Sequence, residues 1–121
     1  MLFDGNFYTV LSQHQAGQLF TVEVEVNENH PLFGGHFPSQ PVVPGVVTMT
    51  ILREQLAVIV GRKVRFTTLK ECKFVSALVP RKGLRLRLEM TINADHLRAV
   101  VYDGERVALK LSTHFYTYPL R

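Results

Sequence analysis

Residues that could do acid–base chemistry cluster in the stretch from His30 to Thr50, which reads HPLFGGHFPSQPVVPGVVTMT. Its middle cannot form a regular element, because its prolines lack a backbone donor and push the residues before them into extended conformations. Proline suits a first helical turn, so we predict a loop followed by a helix from Pro44-Gly45 to about Val60, ended by Gly61. His36 then lies shortly before a helix N-terminus, whose free N–H groups can bind an oxygen on which negative charge develops. A histidine there could act as the base that removes a proton beside an acyl carbonyl.

The same stretch carries a recognisable motif. The run Gly35-His36-Phe37-Pro38, followed by Pro41 and by Pro44-Gly45-Val46, resembles the GHFPxxPxxPG signature of the 3-hydroxyacyl-[acyl-carrier-protein] dehydratases of fatty-acid synthesis, which have a hotdog fold. A second segment, Phe74 to Pro80, is similar to the FxxPVxPGD segment of that family, with Ala77 where proline is usual. The specific motif covers the second quarter of the chain, and the order of elements fits nearly all of it.

The resemblance implies a role for each matching residue. His36 corresponds to the catalytic base, and the Gly45 amide to the donor that binds the thioester carbonyl. Phe37, Pro44 and Val46 would contact the substrate beside them. The resemblance implies no cofactor. His30 and His36 have no cysteine or carboxylate nearby at metal-ligand spacing, so we expect no metal site.

One position departs from the family. Its second catalytic group is a Glu or Asp on the central helix, contributed across a dimer interface, and here that position holds Thr50. A carboxylic acid normally protonates the departing hydroxide, and a threonine hydroxyl is far too weak an acid for this. Glu54 lies one turn further, about 5–6 Å along the helix axis, on the same face. Because a general acid contributes about 10²–10⁴ in rate, a slow dehydratase and a non-catalytic relative are both open.

Glu54 also has a structural interpretation. Apolar residues cover most of the circumference of the predicted helix, which indicates a buried helix rather than a surface one. A buried Glu54 needs a partner, and Arg53 or an arginine of another subunit is the candidate. This interpretation and a catalytic role for Glu54 compete.

Strand patterns dominate the rest of the chain and predict an α+β fold. An antiparallel sheet should curl around the one long helix, and the resemblance implies that this is a single hotdog domain over residues 1–121. A bend is expected near Glu71-Cys72, and Asp103-Gly104 predicts a tight hairpin. The predicted strands are Phe7–Leu11, Phe20–Val26, Val64–Val75, Leu84–Ile92, Leu97–Tyr102 and Val107–Tyr116, with a turn at Gln15–Gln18.

The composition is that of an ordinary globular protein, with 46% hydrophobic and 20% charged residues among 121. The N-terminus lacks a basic leader, and no segment reaches the length of a membrane span. The single cysteine, Cys72, cannot form an internal disulfide. We therefore expect a cytoplasmic protein.

A net charge of +4 favours an acidic partner. Nucleic acid is not expected, because the cations are scattered and no recognition motif accompanies them. Acyl carrier proteins are generally acidic, so the resemblance implies a carrier protein as partner. It also implies a homodimer or higher homo-oligomer, or a heterodimer with another hotdog chain.

Three functions are compatible with these residues. The first is a dehydratase that eliminates water from 3-hydroxyacyl thioesters of acyl carrier protein to give the trans-2-enoyl thioester. The second is an accessory acyl-carrier-binding subunit that needs a partner chain, and it is motivated by Thr50. The third is a hotdog thioesterase, for which only Glu54 could activate water. The acyl chain length, the choice between carrier protein and coenzyme A, and the pathway depend on side-chain packing that no pattern predicts.

Overall fold

One antiparallel sheet and one long helix make up most of the computed structural model, which describes residues 2–35 and 42–120. Two predicted site residues, His36 and Phe37, lie outside these ranges. The order of strands across the sheet is β1-β2-β4-β5-β6-β3, so β1 and β3 form its edges. The strands are β1 (Tyr8–Ala16), β2 (Leu19–Val26), β3 (Lys63–Phe74), β4 (Arg85–Asn93), β5 (His96–Asp103) and β6 (Arg106–Tyr118), and the helices are α1 (Leu32–Gly35) and α2 (Gly45–Val60).

The α2 helix confirms the prediction made from its flanking residues. It begins at Gly45 and ends at Val60. Gly61 follows with φ 69° in the left-handed region, and its amide donates to the Ala57 carbonyl oxygen at 2.9 Å. Glycine adopts this conformation without the steric penalty of a Cβ, which explains why the helix stops there. The connection from β2 to β3 thereby carries α2 across one face of the sheet.

Alternating strands were also predicted correctly. In β2, Val22, Val24 and Val26 are buried and the residues between them are not. The hairpin between β5 and β6 pairs Asp103 with Arg106, and Gly104 supplies a φ of 63° in its turn. Positive φ is what the tight hairpin turn requires.

The first strand is longer than its sequence suggests. We predicted that it ends at Leu11, but β1 continues to Ala16. A register shift between Val10 and Ser12 interrupts the alternation on which the prediction relied, because a bulge moves the following side chains to the other face. The predicted turn at Gln15–Gln18 is correspondingly shorter.

One other local prediction was wrong, and a second was right only approximately. The short helix α1 occupies Leu32–Gly35, where only loop was expected. The register of β3 with β6 shifts between Phe66 and Leu69 and again between Leu69 and Glu71, so the irregularity predicted near Glu71-Cys72 reaches Glu71 but begins earlier in the strand. Single turns of helix and bulges depend on neighbouring packing and leave little trace in periodicity.

The core lies between the sheet and one face of α2. Ile51, Leu52 and Leu56 of the helix are inaccessible to solvent and belong to the same cluster as the inward residues of the strands. The sequence predicted a helix enclosed on all sides, but Val46 is 69% exposed and Val58 47% exposed in the single chain. One sheet covers only one side of a helix, so α2 keeps a second apolar face. Within the described ranges, no helix combines the length and apolar character needed to cross a bilayer.

Candidate active site

The first turn of α2 presents free backbone amides. Pro44 precedes it with φ −57° and ψ 142°, and its carbonyl oxygen accepts the amides of Val47 at 3.0 Å and Thr48 at 3.2 Å. Within residues 2–35 and 42–120, the amides of Gly45 and Val46 donate to no acceptor. The aligned peptide dipoles place partial positive charge at this end, so the two N–H groups can hold an oxyanion.

A cavity of about 610 Å³ adjoins these amides, and we call it the Gly45 cavity. This volume lies in the range of small-molecule sites, and most of the lining is aliphatic. Among the described residues it has two side-chain hydroxyls, those of Thr48 and Ser76, and no carboxylate. The full lining is Val42, Val43, Pro44, Gly45, Val46, Thr48, Phe74, Val75, Ser76, Ala77, Leu78, Ala108 and Leu109.

The two segments with family resemblance meet at this cavity. The Val43 amide donates to the Leu78 carbonyl oxygen at 2.8 Å, which ties the segment entering α2 to the segment after β3. That segment is fixed in turn to β6, because the Val75 amide donates to the Ala108 carbonyl oxygen at 2.8 Å. The Ser76 hydroxyl donates to the Val107 carbonyl oxygen at 2.7 Å. The weaker of the two sequence resemblances therefore forms one wall of the cavity.

Thr50, which the sequence resemblance assigns to the family's acid position, does not line the Gly45 cavity. Its hydroxyl donates back to the Val46 carbonyl oxygen at 2.9 Å, on the side of α2 that the sheet leaves open. There it borders a separate cavity of about 180 Å³ with Met49, Arg53 and Phe66. Val46 lines both cavities, so the two cavities adjoin at this residue.

Glu54 is bound to the N-terminal segment instead of the site. It is 2% exposed, which confirms the predicted burial. Its carboxylate accepts the Phe3 amide at 2.9 Å, the Asp4 amide at 3.0 Å and the Tyr8 hydroxyl at 2.9 Å. The predicted Arg53 partner is wrong, since no ion pair among the described residues includes Glu54, and an arginine of another subunit stays a prediction. Hydrogen bonds from backbone amides offset the cost of burying the Glu54 carboxylate, so no guanidinium is needed.

Tyr8 and Gln55 complete this network. The Gln55 amide nitrogen donates to the Tyr8 hydroxyl at 2.9 Å and to Asp4 at 3.0 Å. Burial raises the pKa of the Tyr8 hydroxyl far above its ordinary value, the Gln55 bond lowers this pKa, and the bond to Glu54 raises it again. Glu54 borders a third cavity of about 420 Å³ near the chain ends, not the Gly45 cavity. The geometry thus leaves the thioesterase hypothesis without its only candidate base.

Sequence reasoning missed two of the polar groups in the site. Thr48 stood out only as a polar exception on an apolar helix, and Ser76 only as part of the weaker motif. Of the predicted residues, Pro44, Gly45 and Val46 meet at the cavity. His36 and Phe37 lie outside the described ranges, so their roles stay predictions. Within those ranges, no three His, Cys, Asp or Glu side chains converge as metal ligands would.

Comparison with known proteins agrees with this arrangement. Residues 12–112 match the family model of ApeI-like proteins, described as ApeI dehydratase. A 3-hydroxyacyl-[acyl-carrier-protein] dehydratase FabZ from Alkaliphilus metalliredigens is 35% identical over 100 residues, covering 74% of this chain and 68% of the relative. The FabZ of Macrococcus caseolyticus is 33% identical over 67% of this chain and 61% of its own length.

Solved structures of low identity share the fold. The dehydratase heterocomplex ApeI:P from Xenorhabdus doucetiae contains a chain that superposes with a TM-score of 0.77 at 20% identity, covering 88% of this chain and 96% of that one. The dehydratase domain from the CurJ module of curacin polyketide synthase superposes with a TM-score of 0.67 at 16% identity, over 93% of this chain and 43% of that one. These likenesses confirm the predicted α+β hotdog architecture. With a family model matching 101 of 121 residues (12 to 112), this chain belongs to the ApeI-like dehydratase family.

Proposed function

We propose that this chain is the catalytic part of a dehydratase that converts 3-hydroxyacyl thioesters of acyl carrier protein into trans-2-enoyl thioesters. The observation that carries the proposal is the junction of the Gly45 and Val46 amides with an apolar cavity of about 610 Å³. An apolar cavity suits an acyl chain, and the two N–H groups suit the thioester carbonyl. Membership of a dehydratase family supports the same reaction.

The reaction assigns a task to each group. His36 removes the proton from C2 of the acyl chain, and the carbonyl oxygen gains negative charge that the Gly45 amide stabilises. The electron pair left at C2 forms the C2=C3 double bond as the C3–O bond breaks. Hydroxide leaves C3 and takes up a proton to become water. The last step is the one that needs an acid.

We infer that a second hotdog chain supplies this acid. No carboxylate lines the Gly45 cavity among the described residues, and Thr50 faces away from it. The open side of α2, with Val46 69% exposed, and the edge strand β3 leave room for a partner. The relative from Xenorhabdus doucetiae is described as part of a heterocomplex, which supports a heterodimer here. A homodimer would contribute only a second Thr50.

The proposed thioester carrier is an acidic acyl carrier protein, which complements the net charge of +4. We place the reaction in the cytoplasm, where the lone thiol of Cys72 would stay reduced. Burial raises the pKa of this thiol, which favours the less reactive protonated form.

The test is an assay of the purified chain with 3-hydroxyacyl and 2-enoyl carrier-protein thioesters, followed by mass spectrometry. Interconversion that His36→Ala reduces by about 10²-fold or more supports the dehydratase. Activity that appears only after mixing with a hotdog chain bearing Glu or Asp at the position of Thr50 supports the heterodimer. Equal rates for wild type and His36→Ala in both preparations would refute the proposed function.

A further inference from the structure

Thr48 is a buried hydroxyl facing an apolar cavity. It is 2% exposed and lies in the wall of the Gly45 cavity, one turn after the free amides. Valine has nearly the same shape and would place a methyl group there without a polar atom. A hydroxyl in a mostly apolar wall is poorly placed unless a polar group meets it, so its presence requires an explanation.

Neighbouring threonines show what a structural hydroxyl looks like in this protein. Thr50 bonds back to the Val46 carbonyl oxygen at 2.9 Å, as threonines in helices often do. Thr113, which is fully buried in β6, can donate to the His114 carbonyl oxygen at 2.9 Å or to the Thr68 carbonyl oxygen at 3.2 Å. In contrast, none of the side-chain hydrogen bonds within residues 2–35 and 42–120 involves the Thr48 hydroxyl, which lies in the cavity wall and is not one of the enclosed unpartnered atoms of these ranges, Glu28 Oε2 and His114 Nδ1.

We propose that Thr48 is a specificity-determining residue whose hydroxyl hydrogen-bonds the 3-hydroxyl group of the acyl substrate. The inference rests on the proposed function, because it takes the Gly45 amide as the donor to the thioester carbonyl. Thr48 lies three positions after Gly45 in the helix, which amounts to about 4.5 Å along the axis. The 3-hydroxyl lies two carbons beyond the carbonyl carbon, so one turn of helix is the right length to reach both oxygens.

The chemistry of the hydroxyl limits its role to binding and orientation. Threonine is too weak an acid to protonate the departing hydroxide, so it does not replace the missing carboxylate. It can either accept a hydrogen bond from the 3-hydroxyl or donate one to it, and either bond fixes the C3–O bond relative to C2. The remainder of the lining is mostly aliphatic, with the Ser76 hydroxyl already donating to Val107. Thr48 therefore distinguishes a 3-hydroxyacyl chain from a saturated one.

The test compares two unreactive ligands, a 3-hydroxyacyl amide and the saturated acyl amide of equal length. Replacing the thioester by an amide makes the C2 proton less acidic, so the hydroxy ligand is not dehydrated. Calorimetry on wild type, Thr48→Val and Thr48→Ser measures affinity without turnover. We expect Thr48→Val to weaken the hydroxy ligand about 3–10-fold and to leave the saturated ligand unchanged, with Thr48→Ser restoring the preference.

Thr113→Val is the matched control, because it removes a buried threonine hydroxyl outside the Gly45 cavity. It should leave both affinities unchanged even if it lowers stability. Equal weakening of both ligands by Thr48→Val, or no weakening, would overturn the role of Thr48 while the proposed function stands. Failure of wild type to bind either ligand would overturn both. If Thr48→Val does not fold, Thr48→Ala takes its place. Its affinities for the hydroxy and the saturated ligand are then compared with those of Thr48→Ser, and the same outcomes support or overturn the role of Thr48.

Discussion

The ring of Phe74 lies directly against the backbone of Gly45. A Cβ placed on Gly45 would come within 2.7 Å of Phe74 Cζ and 2.8 Å of Cδ1, closer than carbon atoms pack. Phe74 ends β3, and Gly45 begins α2, so this contact joins the edge strand to the first turn of the helix. Gly45 has no positive φ, so the requirement for glycine there is one of space.

This contact predicts an unusual response to alanine. In an ordinary helical position Gly→Ala stabilises by up to about 1 kcal/mol. Phe74 is 59% exposed, so its ring can turn aside, and we expect Gly45→Ala to lose the usual gain and to lower the free energy of unfolding by up to about 1 kcal/mol, measured by urea denaturation. Adding Phe74→Ala should remove that penalty relative to Phe74→Ala alone. Additive effects of the two substitutions would contradict the contact.

Thr50→Glu should restore an acid to the helix. If two copies of the variant assemble through the open side of α2, each supplies a carboxylate to the other, and we expect dehydration to rise about 10²–10⁴-fold over wild type alone. Thr50→Gln has the same shape without the acid and serves as the control. A folded, dimeric Thr50→Glu protein with no gain would mean that the acyl chain lies elsewhere.

Glu54 should prove structural rather than catalytic. Glu54→Ala leaves two amides and the Tyr8 hydroxyl without an acceptor, so we expect a loss of about 2–4 kcal/mol in unfolding free energy. Tyr8→Phe removes one bond and should cost about 1–2 kcal/mol, with little further loss when added to Glu54→Ala.

The activity of Glu54→Gln separates the two roles. This variant keeps the shape and an acceptor oxygen, so a structural Glu54 predicts turnover within a few-fold of wild type in folded protein. A loss of about 10²-fold or more with stability retained would assign Glu54 to catalysis after all.

His96 should make stability depend on pH. Burial lowers the pKa of its imidazole, and the nearby His114, Lys70 and Arg98 lower this pKa further. The unfolded chain then takes up a proton near the ordinary pKa of about 6.5, while the folded chain does so only at lower pH. Stability therefore falls as pH drops through about 6.5 and levels off below the folded pKa of His96.

The measurement is denaturant unfolding at pH 7 and pH 5. His96→Asn should reduce the loss of stability between these values, whereas His14→Asn, in edge strand β1, should not. An unchanged pH dependence in His96→Asn would show that other groups cause it. The Ser112 hydroxyl, 2.9 Å from His96 Nε2, gives the variant a polar neighbour in the folded protein.

Local sequence determined those features whose causes are local. The start of α2 after Pro44, its end at Gly61 and the hairpin at Asp103-Gly104 each follow from the backbone limits of proline and glycine. Alternation identified the buried face of β2 and β4, because a half-buried strand exposes every second residue. The motif around His36 predicted the family, whereas its assignment of Gly45 to the substrate carbonyl stays a prediction.

Tertiary structure alone decided which side chains share a space. Thr50 and Glu54 share a helical face, yet the first turns to the open side of α2 and the second is held by the amides of Phe3 and Asp4. No pattern could predict that an N-terminal segment some fifty residues away returns to bind that carboxylate, or that Phe74 covers Gly45. The spacing of apolar residues along the chain predicts which residues are buried. The hydrogen-bond partners and neighbours of a buried group depend instead on how distant segments of the chain pack together.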